Sequence, residues 1–307
     1  MSLILKRVDA MDLPPKKLYK YIPSARVDVL QNLTIRFTQP SALNDPFEFN
    51  LLFSEALSTQ QLREHYEKAD KHEIALEAIN SLPDEQKALL ALLPREQLVH
   101  MLEQFTSIIF NSEKINSIHE DYIAPLTSKL KNKLYEGLNK TIGILSLSAT
   151  PVSPPMWANY AENSTGFVLE FDTAHPFFNG RRSDKDEFYH LRRVVYADRQ
   201  PSATMMDMPF DTFVLKSKSW EYEQEWRMLL PLDAACKKFK TPSGDDVSLF
   251  DVPATAISKV IIGLNSKGQT ISELVGILKK SSHFAHIGLE KIQKGSTGFE
   301  LTKFKNE

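Results

Sequence analysis

Residues 58–140 contain a single glycine and are dominated by Leu, Glu, Lys and Ala, whereas the stretches on either side are rich in aromatic and β-branched residues. A chain with a helix-forming block between two strand-forming ones is neither all-α nor all-β. Within the block, Leu62, Tyr66 and Ala69 stand at i, i+4 and i+7, and Leu98, Met101, Leu102 and Phe105 at i, i+3, i+4 and i+7. That spacing lays apolar side chains along one helix face. Pro83 and Pro94 stand where new helices begin. The expectation is an α+β fold: one domain over residues 1–307, with a mixed, mainly antiparallel sheet core and about four helices inserted over 58–140.

Of the flanking stretches, LYKY and LTIRFT alternate as strands do. LYKY (18–21) and LTIRFT (33–38) read as strands, with a short helix at VDVLQN between them and a turn at Asn44-Asp45-Pro46. GILSLSA (143–149) reads as a strand, followed by the short helix of SPPMWANYAEN with Ser153 as its N-cap and prolines in its first turn. Strands are then expected at FVLEFD, VVYA and WEYEQEWRMLLP. ISKVIIGL, a helix over 268–280 and IGLEKIQ form a β-α-β unit, followed by the strand FELTKF.

Composition removes several function classes. With 37 basic and 39 acidic residues among 307, the chain is nearly neutral, unlike a protein held mainly by the phosphate backbone of DNA. Its one cysteine, Cys236, cannot form an internal disulfide, which favours a reducing, cytoplasmic setting. No stretch approaches the ~18 apolar residues of a membrane span, so no membrane partner is expected. There is no HExxH, no cysteine pair, no P-loop, no GxGxxG and no GxSxG, and His283 and His286 have no nearby acid or thiol in sequence. No metal is therefore expected.

Three segments can carry chemistry. Read as one strand, Trp220–Pro231 places Glu221, Glu223, Glu225 and Arg227 on one side. Three like charges in a row must meet water, cations or a ligand, so this is either a solvated edge strand or a binding face. Gly143–Asp172 sets Ser146 and Ser148 on one face at a strand end, followed by Trp157 and Tyr160 on a short helix, where they are either core or ligand platform. In Leu18–Glu48, Tyr19 and Tyr21 flank Lys20, Arg36 interrupts an apolar strand, and Asn44-Asp45-Pro46 follow. A basic stretch, Arg181, Arg182, Lys185, Arg192 and Arg193, reads as a solvated loop or a contact for nucleic acid or phosphate.

Together, LYKY, NDPFE (44–48), SLS with MWANYAENSTGFVLEFD (146–148 and 156–172) and WEYEQEWR (220–227) resemble the bacterial domain-of-unknown-function family 2971. The order of these segments is also similar to that of ADP-ribosyltransferases, with an early basic residue, a Ser-x-Ser strand and a late Glu-x-Glu strand. That resemblance implies NAD as substrate, cleaved at its nicotinamide–ribose bond. It implies transfer of ADP-ribose to a protein or nucleic-acid acceptor, as in a toxin or phage-defence effector. Glu225 would be the catalytic carboxylate facing an oxocarbenium-like transition state, and Glu223 would orient or activate the acceptor. Lys20 or Arg36 would hold the pyrophosphate. Ser146 and Ser148 would support the glutamate or ribose, and Tyr21, Trp157 or Tyr160 would stack on a ring. Asn44, Asp45 and Arg227 complete the expected ligand-binding set. Two other readings stand beside it: a metal-dependent nuclease or hydrolase using Asp45, Glu48, Asp172 and the glutamate row, and a non-catalytic binding or regulatory module.

Overall fold

The computed structural model describes residues 13–45, 48, 53–55, 58–81, 94–111, 116, 120–121, 124–183, 186–198, 203–204 and 213–304. In chain order, the first elements are β1 (Lys17–Ile22), α1 (Asp28–Asn32), β2 (Thr34–Phe37) and β3 (Phe53–Glu55). The helices α2 (Thr59–Lys68), α3 (Lys71–Ser81), α4 (Arg95–Asn111) and α5 (Ala124–Thr141) follow. Next come β4 (Ile142–Ser148), α6 (Pro154–Tyr160), β5 (Phe167–Asp172), β6 (Leu191–Arg193), β7 (Val195–Ala197), β8 (Ala203–Thr204) and β9 (Leu215–Ser217). The chain closes with β10 (Glu225–Pro231), β11 (Lys237–Lys240), β12 (Asp246–Asp251), β13 (Ile257–Ile262), α7 (Gly268–Lys280), β14 (Gly288–Lys294) and β15 (Phe299–Lys303). The fold is α+β with mainly antiparallel sheets.

The chain forms two compact units, one of residues 1–50, 135–201 and 210–307, the other of 51–134 and 202–209. In the smaller unit, Ser58 caps α2 by accepting from the Gln61 amide while the Gln61 side chain accepts from the Ser58 amide. Tyr66, the one buried residue of α2, stacks on Phe110 of α4 at 4.2 Å between ring centres. The expected apolar face of α4 is only partly realised: Leu98 is buried, but Met101 is 58% exposed. Pro94 directly precedes α4, whereas Pro83 lies outside the described residues. No helix among the described residues is long and apolar enough to cross a membrane.

The larger unit is built on an eight-stranded sheet in the order β15-β14-β13-β5-β1-β4-β10-β6. Only β13 and β14 run parallel in it, joined by α7 as the β-α-β reading expects. β11, β12 and β2 form a second antiparallel sheet. Its side chains and those of the large sheet share one core: Ile35, Phe37 and Phe250 join Leu145, Leu147, Phe167, Leu169, Trp226 and Met228. At the start of β5, a side chain on Gly166 would lie 2.1 Å from the Ile22 carbonyl oxygen, so only glycine lets the chain pass there.

Two local expectations are corrected. The stretch 220–231 is not one strand: Lys218–Glu223 winds into a 3-10 helix and β10 begins at Glu225. VVYA is realised as β7, which begins one residue later than expected because Val194 falls between β6 and β7. Ser153 does occupy the N-cap of α6, but its side chain makes no capping hydrogen bond.

Candidate functional site

Gln224 sets the geometry of the site. It joins the 3-10 helix to β10 in the left-handed region, at φ 47° and ψ 51°. A residue other than glycine stands there at a cost of about 1 kcal/mol, and such conformations gather at functional sites. The bend brings the carboxylates of Glu223 and Glu225, from two different elements, to the same Lys216 amine. Lys216 Nζ lies 2.6 Å from Glu223 Oε2, 3.1 Å from Glu225 Oε2 and 3.5 Å from Glu48 Oε1. Glu221, by contrast, is exposed, so the expected row of three carboxylates does not exist.

Behind this group lies Arg227, 1% exposed. Its Nε donates to Glu225 Oε1 at 2.7 Å, and Nη2 donates to Glu225 Oε2 at 2.9 Å and also to Glu48 Oε1. Its Nη1 donates to the Phe213 carbonyl at 2.9 Å. Buried charge on this scale survives only when paired and hydrogen-bonded. Burial alone would raise the Glu225 carboxyl, but Arg227, Lys216 and a hydrogen bond from Ser146 outweigh it and hold the pKa at about 2. Burial lifts the Glu223 pKa above the usual carboxylate value, against the pull of Lys216. Tyr160 donates its phenol to Glu223 Oε1, and the Tyr196 phenol accepts from the Glu225 amide at 2.8 Å.

These carboxylates form one wall of a cleft of about 430 Å³. Lys20, Arg36, Asn44, Ser146, Ser148, Tyr160, Tyr19 and Tyr21 line it with Glu48, Glu223, Glu225 and Lys216. β1 meets β4 at one register pair only, Tyr19 with Ser148, whereas it pairs with β5 along its whole length. Next to that single contact the Lys20 amine donates to the Ser146 carbonyl at 2.9 Å. Burial lowers the Lys20 pKa to about 8, against the attraction of Glu225 and Glu223. Arg36 reaches the Asp246 carbonyl at 3.4 Å through Nη2, while its buried Nε has no hydrogen-bond partner among the described residues.

Of the residues singled out from sequence, Lys20, Tyr21, Arg36, Asn44, Ser146, Ser148, Tyr160, Glu223 and Glu225 come together on this cleft. Others do not. Trp157 is fully buried, edge-on to Tyr21 at 5.3 Å, with its indole N–H donated to the Pro151 carbonyl at 2.7 Å; it is core and not a stacking platform. The Tyr21 phenol is likewise committed to the Thr150 carbonyl at 2.8 Å. Ser148 donates to the Glu223 carbonyl at 2.7 Å, so it fixes the bend and leaves ribose to other groups. Asp45 and Arg227 are buried and do not line the cleft. Asp172 pairs with Lys17 at 3.3 Å outside the cleft, and among the described residues no three His, Cys, Asp or Glu side chains are arranged to hold a metal ion.

Sequence reasoning missed Lys216, the cation that joins the three glutamates, and weighed Glu48 only as a metal ligand. One signal was available for Lys216: it directly follows the apolar run Phe213-Val214-Leu215. No curated protein and no solved structure matches the chain. The resemblance to family 2971 is borne out by a family model: residues 156–228, which carry Tyr160, Lys216, Glu223, Glu225 and Arg227, match the protein family of unknown function DUF2971, while LYKY, NDPFE and SLS lie outside the match.

Proposed function

We propose that this protein is an ADP-ribosyltransferase-like enzyme, which cleaves the nicotinamide–ribose bond of NAD and passes ADP-ribose to a protein or nucleic-acid acceptor. A toxin or phage-defence effector acting in the cytoplasm would use such chemistry. One observation carries the reading: Lys20, Arg36, Ser146, Glu223 and Glu225, from distant parts of the chain, line a single cleft. Its volume of about 430 Å³ falls within the ~300–1,000 Å³ usual for small-molecule sites. The donor set suits a dinucleotide, since Lys20 and the unpartnered Arg36 Nε offer charge-assisted hydrogen bonds to a pyrophosphate.

The roles follow from the electrostatics. When the bond from ribose C1′ to nitrogen breaks, its electron pair returns to the nicotinamide ring and positive charge develops on the ribose. Glu225, ionised and held by Arg227, is a fixed negative charge facing that development. Glu223 has the raised pKa and the Tyr160 contact, which suit it to take the acceptor's proton as the new bond to C1′ forms.

The test is release of nicotinamide from NAD, followed by chromatography. Wild type should release it, and Glu223→Gln and Glu225→Gln should each slow release by about 10²-fold or more. No release above the buffer rate, with and without acceptor-rich lysate, rejects the transferase. Release that needs Mg²⁺ and stops with a chelator transfers the case to a metal-dependent hydrolase. A second reading, a binding module without turnover, is favoured by one feature: both oxygens of Glu225 are already paired.

A further inference from the structure

Among the three glutamates of the cleft wall, Glu48 alone keeps an oxygen to itself. Oε1 takes Arg227 and lies near Lys216, but Oε2 is buried and has no hydrogen-bond partner among the described residues. The side chain is 1% exposed and lines the cleft. A buried acceptor without a donor is costly, more so when it carries charge. A fold tolerates it where a ligand completes it. The cleft carries a mirror-image feature in the buried Nε of Arg36, a donor without an acceptor. One wants an anion and the other a hydroxyl or an N–H.

We infer that Glu48 is a ligand-binding residue of this cleft, whose free oxygen accepts a hydrogen bond from a sugar hydroxyl of a ligand anchored by its phosphate near Arg36. The inference rests on the proposed dinucleotide chemistry and deepens it, but it concerns binding and not turnover. It selects phosphorylated sugars over bare anions: phosphate satisfies Arg36 only, whereas a sugar phosphate satisfies both orphan groups. Glu48 also ties recognition to the buried charges, because its other oxygen shares Arg227 with Glu225.

Titration calorimetry on the full chain with two probes tests it. ADP-ribose carries phosphates and hydroxyls and has no nicotinamide to release; inorganic pyrophosphate carries the anion alone. Wild type should bind ADP-ribose at least tenfold tighter than pyrophosphate. Glu48→Gln, which replaces the charged acceptor with a neutral amide, should weaken ADP-ribose by about tenfold and leave pyrophosphate within twofold. Arg36→Gln should weaken both. Should Glu48→Gln fail to fold by circular dichroism, Glu48→Asp replaces it, retaining the charge and withdrawing the oxygen by one methylene, with the same loss expected. Equal affinity of wild type for the two probes, no binding of either, an unaltered ADP-ribose affinity in the variant, or an equal loss for both probes would each overturn the inference. Nicotinamide release is scored separately, so tight, Glu48-dependent ADP-ribose binding without turnover upholds the inference and rejects only the transferase.

Discussion

Two groups of charges occupy the ends of one cross-strand row of the large sheet, and they are treated in opposite ways. The row runs from Glu225 through Ser148, Tyr19 and Glu170 to Lys259, each opposite the next on neighbouring strands. At the cleft end, Glu223, Glu225, Lys216 and Arg227 are all less than a tenth exposed and share their hydrogen bonds. At the other end, Lys259 pairs with Glu290 at 2.9 Å and Glu170 at 3.5 Å, with Lys259 and Glu290 a quarter and a fifth exposed. Ser258 also donates to Glu170 at 2.7 Å, so this group is held partly by water-facing pairs and partly by a hydroxyl. The contrast is one of access to water. Charges that water can screen contribute little to stability. Charges taken out of water must be fully matched, and a fold retains such an arrangement most readily where a ligand uses it.

The largest expected effect lies at the buried end. Arg227→Met leaves Glu225 and Glu48 without their shared guanidinium, and urea unfolding should show a loss of about 3–5 kcal/mol. A loss under about 1 kcal/mol would mean that the glutamates find water, and the contrast between the two ends would collapse. The next effect is in acid. The folded Glu225 pKa of about 2 lies below its ordinary value of 4.5, so this group stabilises the fold above about pH 5. That contribution is lost as pH falls from about 5 towards 2. Thermal melts over that range should decline in wild type and decline less steeply in Glu225→Gln; parallel curves would show that the glutamate is not held ionised. The smallest effect belongs to Lys259→Met, which should cost under about 1 kcal/mol, and less still in high salt. A cost matching that of Arg227→Met would erase the distinction.

Much of the fold was legible because each element carries its own pattern. The β2 stretch alternates, α7 covers the expected residues 268–280, and β13 and β14 flank it in parallel. The failure at 220–224 has a physical cause. Trp-Glu-Tyr-Glu-Gln-Glu alternates as well as any strand, and no Gly or Pro marks the break. The turn is made by Gln224 in a left-handed conformation that side chains rarely adopt and that local propensity does not foretell. Trp157 misled for a related reason: a Trp–Tyr stripe on a short helix looks alike whether it faces ligand or core, and here the Trp fills the core while Tyr160 reaches the cleft.

By itself, the sequence determined the residue types of the site, since Lys20, Arg36 and Ser146 stand out as polar groups within strand-like stretches and Glu223 and Glu225 as a row of like charges. It also determined the class of fold, since hydrophobic period is a local property. The tertiary structure alone decided which charges meet. Lys216 lies seven residues from Glu223 yet joins it to Glu48, 168 positions away from Lys216 in the chain. Pairing at that separation depends on strand order and register, which arise only when the whole sheet buries its apolar faces. The free oxygen of Glu48 is a consequence of the same assembly: burial removed its water, and the neighbours that burial brought satisfy only the other oxygen.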